Sequence, residues 1–322
     1  MAMPAGSFWI IACYFNPNGF KSKRENYDLF VQGLKNTGAS YVVVECACDG
    51  APFELSLDDS IIRVRATDAM WQKERLLNVA LAKLPPVCTK VAWLDCDILF
   101  EDSEWIRRAS EALETFSVIQ PFTVAARLPQ RGQTRYASDV EQCRSFASVC
   151  ATAPELVTAG DFDRHGHTGF GWAARRDWLE RHGFYDACMT GNADHLMAHA
   201  MCGDWRSGCI DTLLGSASTA YRRHFERWAT RVAADVRGRI GAIPGRVVHL
   251  WHGDLADRHY FLRAQQFQSF DFDPDRDLRV GAEGAWEWSN FRPEVHHWAR
   301  AFFTLRNEDA AFNFVRHAMP EE

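Results

Sequence analysis

The chain has 322 residues, 47% of them hydrophobic, with 12 tryptophans and a net charge of −6. That size and apolar content suit one large α/β domain, or two small ones, with an ample core. The acidic balance argues against a general polyanion binder. No 18-residue apolar run occurs, so no membrane span is expected. Residues 1–9 lack the basic start and long apolar core of a signal peptide. The ten cysteines form no Cys-x-x-Cys pair, and Cys46-x-Cys48 is too tight for ordinary zinc spacing. They read as reduced, buried thiols of a cytoplasmic protein.

Residues 7–15 read as a first strand, closed by the turn Asn16-Pro17-Asn18-Gly19. Tyr27, Phe30, Val31 and Leu34 then recur at helical spacing, which predicts an amphipathic helix over 25–36, stopped by Gly38. Strands follow at 41–47 and 61–66. A helix is predicted from about residue 69 to 84, capped by Thr67 or Asp68 and ended by Pro85-Pro86. Lys73, Arg75 and Asn78 project near its N-terminal half, where dipole and charge favour a pyrophosphate. A solvated helix face explains them equally well.

Residues 90–100 are the most informative stretch. An apolar run at 91–94 reads as a buried strand, broken by Asp95 and Asp97 before apolar residues resume at Ile98. Strand alternation puts the two carboxylates on one face and Cys96 on the other. Burying such charges is costly unless a cation or a bound partner compensates. The pair is therefore a candidate Mg2+ or Mn2+ site of the kind that carries nucleotide phosphates. The order β-α-β-β-α-β predicts a mainly parallel sheet flanked by helices, with ligands beyond the carboxyl ends of its strands. Asn16, Glu45 and Asp95 fall at or near such ends.

Beyond this come a helix at 103–115, a strand at 118–122, and loops with short helices over 127–168. A strand at 168–174 leads into a helix ending near 182, and another helix spans 192–201. Residues 217–239 read as an Arg-rich helical insertion, 246–251 as a last strand, and 257–267 as a helix before a Trp-rich tail. Residues 220–246 carry seven arginines against Glu226 and Asp235. This run either faces an anionic acceptor, modified DNA included, or forms a solvated helix face. Trp286, Trp288 and Trp298 are candidates either for stacking on sugars or for core packing.

Residues 71–99 resemble the nucleotide-sugar-binding core of GT-A glycosyltransferases, closest to the β-1,4-galactosyltransferase-like and family 2-like enzymes. The likeness rests on Arg75-Leu76-Leu77-Asn78 followed by Asp95-Cys96-Asp97. Further islands in the same order are residues 168–176 with Gly169 and Gly171, Gly183-Phe184-Tyr185-Asp186, Gly191 to His195, and His249-Leu250-Trp251-His252. The resemblance implies a GT-A (Rossmann-like) domain over 1–270, with the helical insertion at 217–245 and residues 271–322 packed on it as an extension. It implies metal-dependent transfer of a sugar from a nucleotide-sugar, a UDP-sugar first, to an acceptor hydroxyl on a glycan, a lipid-linked sugar or another molecule.

On the same grounds Asp97 is the metal ligand, Asp95 contacts ribose or metal, and His252 completes the metal site, with His249 as fallback. Lys73, Arg75 and Asn78 contact the nucleotide, and Phe15, Asn16 and Glu45 hold the nucleoside. Gly169 and Gly171 admit the donor sugar. Arg258 and Arg263 face the diphosphate or form ion pairs. Asp194 matches the general base of inverting members, or else caps the following helix. The family's Glu-Asp is here Ala193-Asp194, so the acceptor-contacting Glu is missing. The rival expectations are a nucleotidyltransferase and an inactive nucleotide-sugar-binding protein. Residues 16–19 are not the Gly-rich, Lys-containing loop that the first of these would favour.

Overall fold

The computed structural model describes residues 7–130 and 140–309. β1 (Phe8–Tyr14), α1 (Lys21–Asn36), β2 (Ser40–Cys48), β3 (Ile61–Ala66), α2 (Lys73–Lys83) and β4 (Lys90–Leu94) follow the order expected for the first hundred residues. Next come β5 (Ile98–Phe100), α3 (Trp105–Ala112), β6 (Val118–Gln120), β7 (Val124–Arg127), β8 (Glu141–Arg144), α4 (Phe146–Thr152), α5 (Pro154–Thr158) and β9 (Gly171–Arg175). The chain continues through α6 (Arg176–His182), α7 (Ala193–Cys202), α8 (Gly208–Leu214), α9 (Ala220–Val236), β10 (Ile240–Ala242) and β11 (Arg246–His249). A 3-10 turn (Leu255–Arg258), α10 (Tyr260–Gln268), α11 (Pro274–Asp277), β12 (Leu278–Val280), β13 (Trp286–Trp288) and α12 (Pro293–Leu305) complete it.

The main sheet has seven strands in the order β10-β6-β9-β4-β1-β2-β3. Strands β4, β1, β2 and β3 run parallel, as do β6 and β10, and β9 alone runs antiparallel between β4 and β6. The fold is thus mixed α/β with a mainly parallel sheet flanked by helices. Both faces of β4 are covered, which is why its sequence is continuously apolar rather than alternating. Val91 and Trp93 pack with Leu76 and Leu77 of α2 on one side. Ala92 and Leu94 pack with Phe30 of α1 and Ala109 of α3 on the other. Among the described residues no helix is long and apolar enough to cross a membrane.

A smaller sheet runs in the order β5-β11-β7-β8. β11 pairs antiparallel with β5, so that His249 lies opposite Ile98, and parallel with β7, so that it also lies opposite Arg127. This register brings the late histidines beside Asp97.

Several boundaries differ from the sequence-based expectation. α1 starts at Lys21 rather than 25, because the distant Asp309 carboxylate accepts from Lys21 N at 2.7 Å and Ser22 N at 2.8 Å. α2 starts at Lys73 rather than 69. Thr67 bonds Asp68 instead of capping, and buried Gln72 uses its side-chain oxygen on Trp286 N at 2.8 Å. β8 lies within the stretch read as loops and short helices, and its mostly exposed, polar residues give no apolar alternation. The Arg-rich helix, α9, buries Tyr221, Phe225, Trp228, Ala229, Val232 and Val236. Its arginines are partnered locally: Arg222 by Asp211 and Glu226, Arg227 by Asp275 at 2.7 Å. Arg246, beyond the helix, pairs with Glu101 at 3.1 Å. In the tail Val295, Ala299, Phe302 and Phe303 of α12 join the same core as α2.

Candidate functional site

β4 ends at Leu94, and the chain there is gripped from both sides. Asp95 N donates to Phe170 O at 2.9 Å, and Phe170 N donates back to Asp95 Oδ2 at 3.1 Å. Lys73, at the start of α2, forms an ion pair with Asp95 Oδ1. Phe170 holds a φ of +74°, unusual for a bulky residue and characteristic of functional loops. Residues 95–97 form a turn between β4 and β5 rather than the continuous strand expected from the sequence, and Cys96 Sγ lies 3.3 Å from Cys13 O.

Asp97 belongs to a different set of partners. Its carbonyl accepts from Leu250 N at 2.8 Å, which fixes the loop after β11 against it. His252 Nε2 lies 3.0 Å from Asp97 Oδ2, His249 Nε2 lies 3.7 Å from Oδ1, and the two Nε2 atoms are 3.1 Å apart. One ligand atom from each of the three residues falls within 4.8 Å of the others. Asp97 Oδ1 is buried with no hydrogen-bond partner. This carboxylate-imidazole donor set with an orphaned oxygen fits a divalent transition-metal ion. Burial would raise the Asp97 carboxyl, but the His252 and His249 rings and Lys23 hold it below the usual carboxylate range. Burial takes His249 the other way, down to about 3. It therefore stays a neutral potential ligand at neutral pH.

His252 is backed by a buried network. Its Nδ1 faces Arg258 NH2 at 2.7 Å and Glu308 Oε1 at 3.3 Å, and Arg258 also bonds the His252 carbonyl at 2.6 Å. Glu308 is fully buried and ion-paired to Arg258 and Arg306. Burial opposes its charge, but Lys23, Arg306 and His252 hold its pKa well below the ordinary value. Nothing in the sequence pointed to Glu308, because it acts from the far end of the chain.

Asp194 sits in the first turn of α7, where Asn192 rather than Asp194 is the cap. Its Oδ1 accepts from His195 N at 2.8 Å. Burial, reinforced by Asp95 and opposed by Lys73, raises its pKa, which makes it a stronger base. The neighbouring Glu74 was not singled out from the sequence, being one charge on a helix of mixed charges. It is 2% exposed, and burial lifts its carboxyl to about 8. Lys73 lies among Asp95, Glu74 and Asp194. Burial opposes its charge, but these carboxylates raise its pKa well above the ordinary value.

Most of these line one cavity of about 670 Å³ beyond the carboxyl ends of β1 and β4, with Glu308 behind its wall. Phe15, Lys73, Asp95, Asp97, Asp194, His249, His252, Arg258 and Arg263 share it, and Lys23, Glu74, Arg127 and Phe170 join them. Arg258 and Arg263 are buried rather than surface ion pairs, and Arg263 bonds Asn192 Oδ1 at 3.2 Å.

Other predicted residues lie outside this cavity. Arg75 bonds Gly284 O at 2.5 Å and Asp186 at 3.3 Å and stacks on Trp286, so it ties α2 to the β12–β13 hairpin. Asn78 bonds Phe184 and Asp186. Asn16 bonds Phe20 and Glu54, bracing the turn after β1. Glu45 accepts from Glu54 N and Leu55 N at 2.5 and 2.9 Å. Gly169 and Gly171 serve close packing: a Cβ at Gly169 would meet Asp194 Oδ2 at 2.5 Å, and one at Gly171 would meet Leu94 Cδ2 at 2.5 Å. Trp286, Trp288 and Trp298 are also absent from the cavity wall.

No family model and no curated protein matches this sequence. Among solved structures, the catalytic domain of Drosophila β1,4-galactosyltransferase 7 with xylobiose shares 8% identity over 91% of this chain and 98% of its own, with a TM-score of 0.41. A mutant of that protein complexed with manganese, UDP-Gal and xylobiose gives 9% identity, the same coverages and a TM-score of 0.40. The 4-diphosphocytidyl-2C-methyl-D-erythritol synthase of Anaerococcus prevotii shares 10% identity over 74% of this chain and 88% of its own, with a TM-score of 0.35. Likenesses this remote assign no role to any residue here.

Proposed function

We propose that the protein is a metal-dependent glycosyltransferase that moves a sugar from a nucleotide-sugar, a UDP-sugar first, to an acceptor hydroxyl. One observation carries the reading. Residues from five separated stretches of chain (Lys73, Asp95 with Asp97, Asp194, His249 with His252, and Glu308) converge on or directly behind one cavity at the carboxyl end of a parallel sheet.

Asp97, His252 and His249 would hold the cation, which when bound neutralises charge on the leaving diphosphate. Two imidazoles beside one carboxylate suit Mn2+ better than Mg2+, which prefers oxygen ligands. Lys73 holds Asp95 in place and adds positive charge beside the diphosphate. Arg258 and Arg263 add further fixed charge in a buried wall. Asp194, with its pKa raised by burial, takes the proton of the attacking hydroxyl in a single displacement that inverts the anomeric centre.

The test is a panel of UDP-sugars incubated with enzyme and Mn2+, following UDP release against nucleoside triphosphate or pyrophosphate products. Mn2+-dependent UDP release that Asp97→Asn lowers by roughly a hundredfold or more supports the proposal, since losing even an outer partner of a metal site costs ~10–100-fold. Asp194→Asn should lower turnover by about 10²–10⁴ while leaving UDP binding intact. A nucleotidyl product, or Asp97→Asn at full activity, overturns it.

A further inference from the structure

Three histidines and a cysteine meet at the wall of the cavity, which His165 and His195 line and behind which His199 and Cys209 lie. His195 and His199 lie four residues apart on α7 and so share a face. His165 comes from the segment between α5 and β9, and Cys209 is the second residue of α8. All four are buried, and one potential ligand atom from each lies within 4.8 Å of the others. The Nε2 atoms of all three histidines are buried without a hydrogen-bond partner. One orphaned imidazole nitrogen in an interior is a curiosity, but three aimed into one spot carry a large desolvation cost unless something binds them.

For His165 and His199 the opposite ring nitrogen is engaged. His165 Nδ1 lies 2.7 Å from Gly166 O, and His199 Nδ1 lies 3.2 Å from Asp204 Oδ2 and 3.3 Å from Ser207 Oγ. An Nδ1–H donated to such acceptors leaves the Nε2 lone pair facing inward, the arrangement that orients metal-bound histidines.

We propose that His165, His195, His199 and Cys209 form a second metal site, a closed tetrahedral centre for Zn2+, separate from the one at Asp97. Imidazole and thiolate are the donors zinc prefers. Ligand distances of about 2.0–2.3 Å place neighbouring donors about 3.3–3.7 Å apart, which small side-chain rotations reach from the present spread. On binding, the Cys209 thiol loses its proton to solvent and nothing is oxidised. Four protein ligands leave no open position, so the ion's role is structural. His195 follows Asp194 directly, and the ring of Phe162, on the cavity wall, stacks on His195 with centroids 4.7 Å apart. The ion thus pins the first turn of α7 to the segment that carries the cavity wall.

The test uses the full chain, purified and dialysed. About one equivalent of zinc should survive dialysis in the wild type and in Asp97→Asn, and should be absent from His199→Ala. Replacing zinc by Co2+ should give tetrahedral visible bands and a near-ultraviolet thiolate charge-transfer band, and Cys209→Ser should lose the latter. If the variants do not fold, the wild type decides: chelation should lower its thermal midpoint, and added Zn2+ should restore it. A wild type that retains no zinc and gives no charge-transfer band with Co2+ overturns the proposal, as does zinc that His252→Ala removes and His199→Ala retains.

Discussion

At the scale of single residues, the two carboxylates that dominate the sequence separate in the structure. Asp95 is held by Lys73 and the Phe170 backbone, whereas Asp97 faces histidines and keeps one oxygen free. Glu74, which shares the cavity with Lys73, Asp95 and Asp194, carries the clearest pH consequence. Its folded pKa is about 8 against an ordinary 4.5, so the native state holds a proton that the unfolded chain releases. That contribution to stability is complete below pH 4.5 and is lost as pH rises through 8, with a slope of about 1.4 kcal/mol per pH unit. Glu74→Gln, which mimics the neutral form, should therefore gain in thermal midpoint over the wild type progressively from pH 5 to 8. A difference that stays constant across that window contradicts the assignment.

At the scale of elements, the main sheet was legible because β1, β2 and β4 carry nearly continuous apolar runs set by burial on both sides, while edge strand β3 keeps Ile61, Ile62 and Val64 and α2 keeps a buried leucine stripe. The pair Asp95 and Asp97 stood out for the same reason, as charges interrupting such a run. What remained illegible depends on pairing between distant segments. β8 is a polar edge strand, and the helix start at Lys21 is set by Asp309. Arg75 and Asn78 match a motif, yet they turn toward the Asp186 region rather than the cavity, which the local sequence does not encode. The glycines before and within β9 illustrate a related point. Gly169 was expected to admit a donor sugar, and its immediate neighbour is the Asp194 carboxylate. Gly169→Ala should push that carboxylate aside and lower kcat by about a hundredfold, since a displacement of roughly 1 Å costs that much. The thermal midpoint should change little by comparison. An unaltered kcat would detach Asp194 from the chemistry.

At the scale of the whole molecule, the candidate site is closed by the end of the described chain. α12 packs beside Trp71, and the residues after it carry Arg306 and Glu308 into the interior behind His252. Under the proposed function Glu308, 3.3 Å from His252 Nδ1, would orient that ring as carboxylates orient metal-bound histidines, so Glu308→Gln should weaken Mn2+ binding by about 10–100-fold. Titration calorimetry with Mn2+ reads this directly, and unchanged affinity would reduce Glu308 to a packing role. α2, α9 and α12 share one buried core on one face of the main sheet.

The most direct measurement is anomalous scattering at the manganese edge from crystals grown with Mn2+ and UDP. The account predicts a peak among Asp97, His249 and His252, with the UDP diphosphate against it and Lys73 close by. A peak away from Asp97, or UDP bound outside the cavity that Asp95 and Asp194 line, would contradict it.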